Sequence, residues 1–578
     1  MPCSPAPRTH LRNPLAAMLA LAVFLMGSTA GPAVAQTIPA SGDWYTESQQ
    51  LGFRVRTPKA WRFIPPNLGD PINLAKYVPE GRDWVPLKGS AQLFISSWVL
   101  RFDLEAVKEA RIAQLRKMLD LSGSDVIPAE AWENVGGPDV VLDEVIIDWL
   151  QESQRQGTGW VLGETSETRS GKRVIEERIY DGTMSWEGNA FPVRVYVALL
   201  PLGEGRWGAV AYNAPGEKAA WRKHESSFRR LARTLEPLEL AAAAEEAAGP
   251  QSLRDVKRRE LEAELQRMPE WWLHETNNYF ILTDSRSKDF IEELGDRLEA
   301  IREIYAVDYP YSKARIYEKP GSTKKAKPDT ADGDVEEDVE DDAEEAEGAA
   351  EDEPAKGGTS AGRNSFELSR TSVVRVCSDV EMYHEYGGPY GSAGYWSPFH
   401  QELVVYDDQK GAGRADTWSV VNHEAFHQYI FYFYGNISPH SWYNEGTGDF
   451  YAGYEYNVRR KKFTLTPFDW RRSLARDNIR QKKFAPLKEF VRWTQGEYYG
   501  INAYGIQGGE NYALGWSFIW FLRTGKGKSK DWVPAWDGIL DTYLAALART
   551  GDLDEAIDEA FGSVDWKKLE EAWTSYGG

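Results

Sequence analysis

The stretch "VVNHEAFHQYIFY", residues 420–432, contains two histidines four residues apart, with a glutamate directly after the first. Its apolar residues predict a helix. Asp416 or Thr417 can cap the start of that helix, and Gly435 is a typical residue for its end. This one helix decides how the C-terminal half of the chain is interpreted, because it fixes the relative positions of its polar side chains.

The polar side chains of the predicted helix have the spacing of a metal site. His423 and His427 lie on one face, because positions i and i+4 of a helix are neighbours. Two neutral imidazoles at this spacing can bind one zinc ion, and Glu424 projects towards the same place. A chain with eight histidines contains this motif by chance in roughly one case in a hundred. The pattern therefore predicts a Zn²⁺ site.

Two imidazoles do not complete a zinc site, so a third ligand is needed. Residues 441–454, "SWYNEGTGDFYAGY", predict a second helix that supplies Glu445 as this ligand. Asp449 lies four residues later on the same face, where it can accept the free N–H of a ligating histidine. His400 and His440 are the alternatives for the third ligand.

This arrangement resembles the gluzincin metallopeptidases, which include the thermolysin-like and membrane-alanyl-type aminopeptidase groups. The residues that carry the resemblance are His423, Glu424, His427, Asn444, Glu445 and Asp449. In those families the two histidines and the downstream glutamate bind zinc, and the glutamate inside the motif is the general base. The resemblance thus implies a zinc-dependent peptidase that acts on a peptide or protein substrate.

A later segment, "NYALGWSFIWFL" at 511–522, resembles the aminopeptidase-type helix whose tyrosine stabilises the oxyanion. That role falls on Tyr512, for which an ordinary helix tyrosine is the alternative. Two departures limit the resemblance. Seventeen residues separate His427 from Glu445, slightly fewer than in the best-known groups. The motif that anchors a free amino terminus is absent, so no aminopeptidase activity is implied.

The whole of 270–578 resembles an uncharacterised bacterial family of exported peptidase-MA-like domains. The matching pieces besides the zinc helix are "NYFILTD", "GYWSPFHQELVVYDD" and the C-terminal helical tail. We expect a small sheet, the zinc helix and a helical C-terminal subdomain. The stretch "GYWSPFHQELVVYDD" is expected to form an edge strand, and its part "ELVVYDD", beside the zinc helix, can pair with an extended peptide.

Residues 36–237 predict a separate α+β sandwich domain. Several β-branched and aromatic runs predict strands, and "EKAAWRKHESSFRRLARTL" predicts a closing amphipathic helix. The run "DVVLDEVIIDWL" fits either a strand or a helix. The segments "GFRVRTPKAW" and "SSFRRLARTLEP" resemble exported domains of the photosystem oxygen-evolving-protein and Mog1-like type, which usually bind or scaffold. The predicted fold class of the whole chain is therefore α+β.

The first 35 residues predict a secretory signal. Arg8 and Arg12 form its basic region, "LAAMLALAVFLMG" at 15–27 its apolar region, and "AVA" at 33–35 its cleavage site. The apolar run is short for a bilayer span, and an uncleaved anchor is the alternative. We expect cleavage near Ala35 and an exported protein, which is periplasmic, on the cell surface or extracellular, without a stable membrane span.

Two segments of biased composition complete the organisation. Residues 238–269 predict a helical linker, and residues 319–365 predict a disordered insertion with almost no large apolar side chains. Residues 332–353 carry 14 acidic and no basic side chains. Removing those 14 charges from the net charge of −21 leaves −7 for the rest of the chain. An acidic calcium loop is the alternative for this segment, although its spacing does not match an EF-hand.

Composition also excludes some partners. The chain has no basic stripe, which argues against nucleic acid. Cys377 is the one cysteine left after signal removal, so we expect a buried, inert thiol. The oligomeric state does not follow from the sequence. The alternative to a peptidase is a catalytically inert exported binding or scaffold protein on a peptidase fold, with or without bound metal.

Overall fold

The computed structural model describes residues 41–45, 52–67, 70–79, 84–86, 92–118, 127–132, 139–153, 157–186, 189–239, 252–315, 360–408, 414–435 and 437–577. Over these residues the chain is an α+β protein with several sheets and a helical C-terminal region, which confirms the predicted fold class. The predicted signal, residues 1–35, lies outside the described residues. Among the described helices, none combines the length and apolarity that crossing a bilayer requires.

Antiparallel strands form the framework of the N-terminal half. Their bounds are β1 (Ser41–Tyr45), β2 (Phe53–Pro58), β3 (Trp61–Ile64), β4 (Asn73–Pro79), β5 (Trp84–Pro86), β6 (Gln92–Phe94), β7 (Ser97–Asp103), β8 (Gly157–Ser170), β9 (Arg173–Trp186), β10 (Asn189–Gly203), β11 (Arg206–Pro215) and β12 (Glu236–Pro237). Seven of these strands form the main sheet in the order β3-β4-β7-β11-β10-β9-β8. β1-β2-β12 and β5-β6 form two smaller sheets.

Helices cover both faces of the main sheet. They are α1 (Leu104–Met118), α2 (Ala129–Trp132), α3 (Leu142–Ser153) and α4 (Lys218–Ala232). Side chains alternate along β10, so Tyr196 lies in one apolar cluster with Phe228 of α4, while Val195 lies in another cluster with Trp149 of α3. The ambiguous run "DVVLDEVIIDWL" is therefore helical, because its apolar residues form one face that covers the sheet.

The C-terminal half has a smaller mixed sheet. Its strands are β13 (Trp272–Glu275), β14 (Tyr279–Thr283), β15 (Ser372–Cys377), β16 (Gly394–Ser397) and β17 (Glu402–Tyr406), followed by the hairpin β18 (Tyr454–Asn457) and β19 (Lys462–Leu465). The order is β13-β14-β15-β17-β16, with the three central strands parallel and both outer strands antiparallel. Cys377, in β15, is fully buried, and burial raises the pKa of its thiol.

The strand "ELVVYDD" is not at the edge of this sheet. It forms β17, which pairs with β15 on one side and with β16 on the other, so its backbone groups are already used. The chain reverses at residues 398–401, and the preceding "GYWS" becomes the outer strand β16. The stretch "GYWSPFHQELVVYDD" was predicted as one edge strand, but the turn at Pro398 divides it into two antiparallel strands, of which only the first is outermost.

Helices make up most of the C-terminal half. They are α5 (Leu253–Leu265), α6 (Lys288–Asp308), α7 (Ser360–Ser369), α8 (Val380–Tyr386), α9 (Arg414–Tyr434), α10 (Ser441–Ala452), α11 (Asp469–Arg480), α12 (Leu487–Phe490), α13 (Gln495–Tyr498), α14 (Gly508–Thr524), α15 (Ile539–Thr550), α16 (Leu553–Phe561) and α17 (Trp566–Gly577). α9 is the helix of the histidine motif. It begins two residues before Asp416 and ends at Gly435, whose φ of 63° only glycine adopts readily.

Two predicted boundaries differ from the structure. The C-terminal end of the predicted insertion, residues 360–365, belongs to α7. This segment is polar, but Phe366 and Leu368 just after it pack against the core and hold the helix in place. Within the predicted linker 238–269, α5 packs on the second sheet, with Leu261 buried in the same apolar cluster as Leu282. Residues 316–359 lie outside the described residues.

The two halves of the chain contact each other through α8. Arg62 of β3 donates two hydrogen bonds to Asp379, 3.0 and 2.8 Å long, and Lys76 of β4 pairs with Glu385. Ile64 and Val78 are buried in the apolar cluster of the second sheet. The N-terminal sheet therefore forms part of the core of the C-terminal half.

Candidate metal centre

Three side chains converge at the centre of the C-terminal half. α9 presents His423 and His427 one turn apart, and α10 presents Glu445 to both. The Nε2 atoms of the two imidazoles are 2.9 Å apart. Glu445 Oε2 lies 3.2 Å from Nε2 of His423 and 3.3 Å from Nε2 of His427. Within the described ranges, this is the group of His, Cys, Asp and Glu side chains that is placed to share one ion.

The size of this triangle fits a zinc ion. A tetrahedral ion with bonds of about 2.0–2.1 Å separates its ligand atoms by about 3.3 Å. The three distances are close to this value, and imidazole nitrogen with carboxylate oxygen is a donor set that zinc prefers. The residues present thus fit a zinc ion with three protein ligands, the number that leaves one position for water or substrate in catalytic sites.

The ring nitrogens that do not point into the triangle have partners of their own. Nδ1 of His423 donates to Asp449 Oδ1 at 3.1 Å, and Nδ1 of His427 donates to Asn444 Oδ1 at 3.1 Å. Arg471 of α11 forms an ion pair with the other oxygen of Asp449, Oδ2, at 2.6 Å. These bonds fix the ring orientations and the tautomers, so that both Nε2 atoms face Glu445.

The electrostatics of the cluster favour a positive charge at its centre. Burial alone would lower the pKa of His423, but the hydrogen bonds that its ring donates to Asp449 and Glu445 outweigh burial and raise the pKa to about 10. Burial alone would raise the pKa of Glu445, and the neighbouring imidazoles lower it well below its usual range. The anionic side chains thus stabilise a proton or another cation between them.

Two glycines of α10 allow this helix to fit between its neighbours. A Cβ at Gly448 would lie 2.8 Å from Cε1 of His423, and a Cβ at Gly446 would lie 2.7 Å from the backbone of Gly515 in α14. In the segment "EGTGD" the two glycines thus lie between the two acidic residues, at the points where α10 approaches its neighbours most closely. The glycines bring Glu445 and Asp449 up to the histidines, and they bring α14 up to α10.

Glu424 lies beside the cluster and accepts a hydrogen bond from the sheet. The backbone N–H of Trp396 in β16 donates to Glu424 Oε2 at 2.9 Å. Burial raises the pKa of this carboxyl, while the charges of His423 and His427 act in the opposite direction. Because the N–H of Trp396 points away from β17 and donates to Glu424, the outer side of β16 faces the motif helix.

Two tyrosines stand on the opposite side of the cluster. The ring of Tyr512, on α14, lies face to face with that of His423, with 6.3 Å between centroids and 27° between planes. Its hydroxyl donates to the hydroxyl of Tyr499 at 3.4 Å. Tyr499 in turn donates to Glu445 Oε1 at 2.8 Å. Burial raises the pKa of both hydroxyls, so both are proton donors in the physiological range.

The two alternative ligands occupy other positions. His440 lies at the start of α10, where Nδ1 and the backbone N–H both contact the hydroxyl of Tyr543, each at 3.0 Å. His400 lies in the turn between β16 and β17, with its ring against Phe399. Neither belongs to the cluster. The spacing of the motif did not predict the contacts that Asn444, Tyr499, Arg471 and Trp396 make around the cluster.

Comparison with known proteins adds little beyond fold. The chain matches no protein-family model and no curated protein. Among solved structures, cyanobacterial PsbP from Synechocystis sp. PCC 6803 is 13% identical and covers 37% of this chain and 99% of its own, with a TM-score of 0.21. The Saccharomyces cerevisiae Ran-binding protein Mog1p is 15% identical and covers 32% and 90%, with a TM-score of 0.18.

A third solved structure is LpqN, described as involved in cell envelope biogenesis of Mycobacterium tuberculosis. It is 12% identical and covers 32% of this chain and 81% of its own, with a TM-score of 0.16. The structural neighbours thus include PsbP-like and Mog1-like folds, which the N-terminal resemblance named. At these identities and TM-scores the matches say nothing about what this chain binds or catalyses.

Proposed function

We propose that this protein is an exported zinc-dependent peptidase. The observation that carries the proposal is the convergence of the His423, His427 and Glu445 ligand atoms within 3.3 Å of one another, with a carboxylate directly beside them. Zinc bound there would polarise the scissile carbonyl and lower the pKa of a water molecule to about 7. The remaining steps fall to side chains of this chain.

Glu424 is proposed as the general base. It takes a proton from the attacking water and delivers it to the nitrogen of the leaving amine, a role worth about 10²- to 10⁴-fold in rate. The N–H of Trp396 orients the carboxylate for this transfer. Tyr512 is proposed to turn its hydroxyl proton from Tyr499, 3.4 Å away, to the oxygen that becomes negatively charged.

The bond from Trp396 to Glu424 has a direct test. Trp396→Pro removes the N–H and Trp396→Ala keeps it, while both remove the indole that packs on Phe431. Proline is tolerated on an edge strand where the N–H points outwards. We expect kcat of Trp396→Pro to be at least about 10-fold below that of Trp396→Ala at equal zinc content, because a hydrogen bond to a charged group contributes about 1.5–3 kcal/mol. Equal kcat values would contradict the orienting role.

The proposed function as a whole is tested on the mature wild-type protein. Elemental analysis is expected to give about one zinc per chain. A general caseinase-type assay is expected to show hydrolysis that a chelator abolishes and added zinc restores. A folded protein that takes up no metal from supplied zinc would support an inert scaffold instead. Zinc without hydrolysis of a broad peptide mixture would support a metal-binding but inactive protein.

A further inference from the structure

The two oxygens of the Glu445 carboxylate have different surroundings. Oε2 faces the Nε2 atoms of His423 and His427 at 3.2 and 3.3 Å. Oε1 accepts the hydroxyl proton of Tyr499 at 2.8 Å. A carboxylate can bind a metal through one oxygen or through both, and beside two imidazoles and a water molecule one oxygen would give the usual four-coordinate zinc. The tyrosine therefore occupies the oxygen that would otherwise be free to bind.

The position of Tyr499 is fixed by its backbone. It directly follows α13, whose start carries a capping box between Thr494 and Glu497. The loop after it is held by the side chain of Asn502, which donates to the carbonyls of Glu497 and Ile506 at 2.9 and 2.8 Å. A hydroxyl presented by such a rigid segment is pre-positioned for Glu445, and the bond costs little further ordering.

The neighbouring tyrosine, Tyr498, has surroundings different from those of Tyr499. Tyr498 is fully buried in the core, whereas Tyr499 is 38% exposed at the wall of the site. The hydroxyl of Tyr498 has no hydrogen-bond partner among the described residues, while that of Tyr499 points at a proposed metal ligand. Tyr498 thus fills the core, whereas Tyr499 contacts the site.

We infer that Tyr499 is a positioning residue of the metal centre, which holds Glu445 as a one-oxygen ligand. The inference rests on the proposed zinc site and concerns a residue outside the motif that suggested it. Tyr499 orients Oε2 of Glu445 between the two imidazoles. Through its hydrogen bond with Tyr512 it also connects Glu445 to the proposed oxyanion donor. Without its hydroxyl, Oε1 is free to turn towards the metal.

The test uses cobalt(II) in place of zinc in the full-length mature protein. Cobalt accepts the same donor set, and its visible absorption is several-fold stronger in four-coordinate than in five- or six-coordinate sites. We expect Tyr499→Phe to weaken this absorption and to raise the dissociation constant of the metal about 10- to 100-fold, as loss of partners to ligands does elsewhere. The matched variant Tyr498→Phe removes a hydroxyl without a partner and is expected to change neither quantity.

Each other outcome overturns the inference. An unchanged absorption and dissociation constant in Tyr499→Phe would show that its hydroxyl does not control Glu445. Equal changes in Tyr498→Phe and Tyr499→Phe would show a general effect of packing. If the wild type bound no cobalt, the zinc site itself would be wrong. The first two outcomes leave the proposed peptidase standing, so the failures can be told apart, and thermal unfolding of the metal-free variants verifies their fold.

Discussion

Glu424→Gln is expected to abolish hydrolysis, with a loss of at least about 10²- to 10⁴-fold in kcat, while zinc content stays near one per chain. Glutamine has the shape of glutamate, and its amide oxygen can still accept the N–H of Trp396. The amide cannot take up a proton from water. The variant therefore separates proton transfer from metal binding and from the arrangement of the sheet around the site.

The stability of this variant provides a second readout. Because burial opposes ionisation of Glu424, replacing its charge by a neutral amide is expected to leave the melting temperature unchanged or slightly raised. The exposed Glu455 of β18 gives a control with the same chemical change, and Glu455→Gln is expected to keep full activity. Substantial hydrolysis by Glu424→Gln would rule out its role as the base.

Glu445→Ala is expected to reduce the zinc content from about one per chain to a small fraction. The loss in affinity should exceed the factor of about 10–100 that removal of a partner to a ligand causes. Structural and catalytic zinc sites use at least three protein ligands, so two imidazoles alone are expected to bind zinc weakly. Elemental analysis after dialysis against a fixed zinc concentration measures the effect directly.

The controls for this prediction come from the competing ligand assignments. His400→Ala is expected to retain zinc, because this histidine lies in the turn after β16 and outside the cluster. Glu445→Gln tests the charge separately, since its amide oxygen can still accept the Tyr499 hydroxyl. If Glu445→Ala kept its zinc and His400→Ala or His440→Ala lost it, the third ligand would have been assigned wrongly.

Local spacing explains which parts of the site could be predicted. His423 and His427 share a face because they lie one helical turn apart, and Asp449 follows Glu445 by the same interval on α10. The contacts of Tyr499, Arg471 and Trp396 arise from packing between elements distant in sequence. Composition and spacing contain no signal for such contacts. The "EGTGD" glycines were visible in the sequence, and their alternation with two acidic side chains was the available clue to close helix packing.

For the fold, the class was predictable from the sequence, but the positions of some elements were not. The α+β class followed from separate runs of strand and helix patterns. The ambiguity at 139–150 was settled by burial against the sheet, and "ELVVYDD" is not outermost because β16 pairs with it. Both depend on which surface a segment covers, and this is decided by partners that one sequence window does not contain. The start of α7 at Ser360 was missed because its anchoring residues come after the polar segment.

The contact through α8 has a consequence for how the chain can be divided. A fragment that begins at the linker would retain Asp379 and Glu385 but lose Arg62 and Lys76, their cationic partners. It would also expose to water the apolar surface that Ile64 and Val78 cover. An exposed apolar surface of this kind favours self-association. A loss of the proposed zinc binding or hydrolysis in such a fragment would therefore reflect the damaged contact between the two halves. A deletion of the N-terminal domain therefore becomes interpretable only after that surface has been made polar.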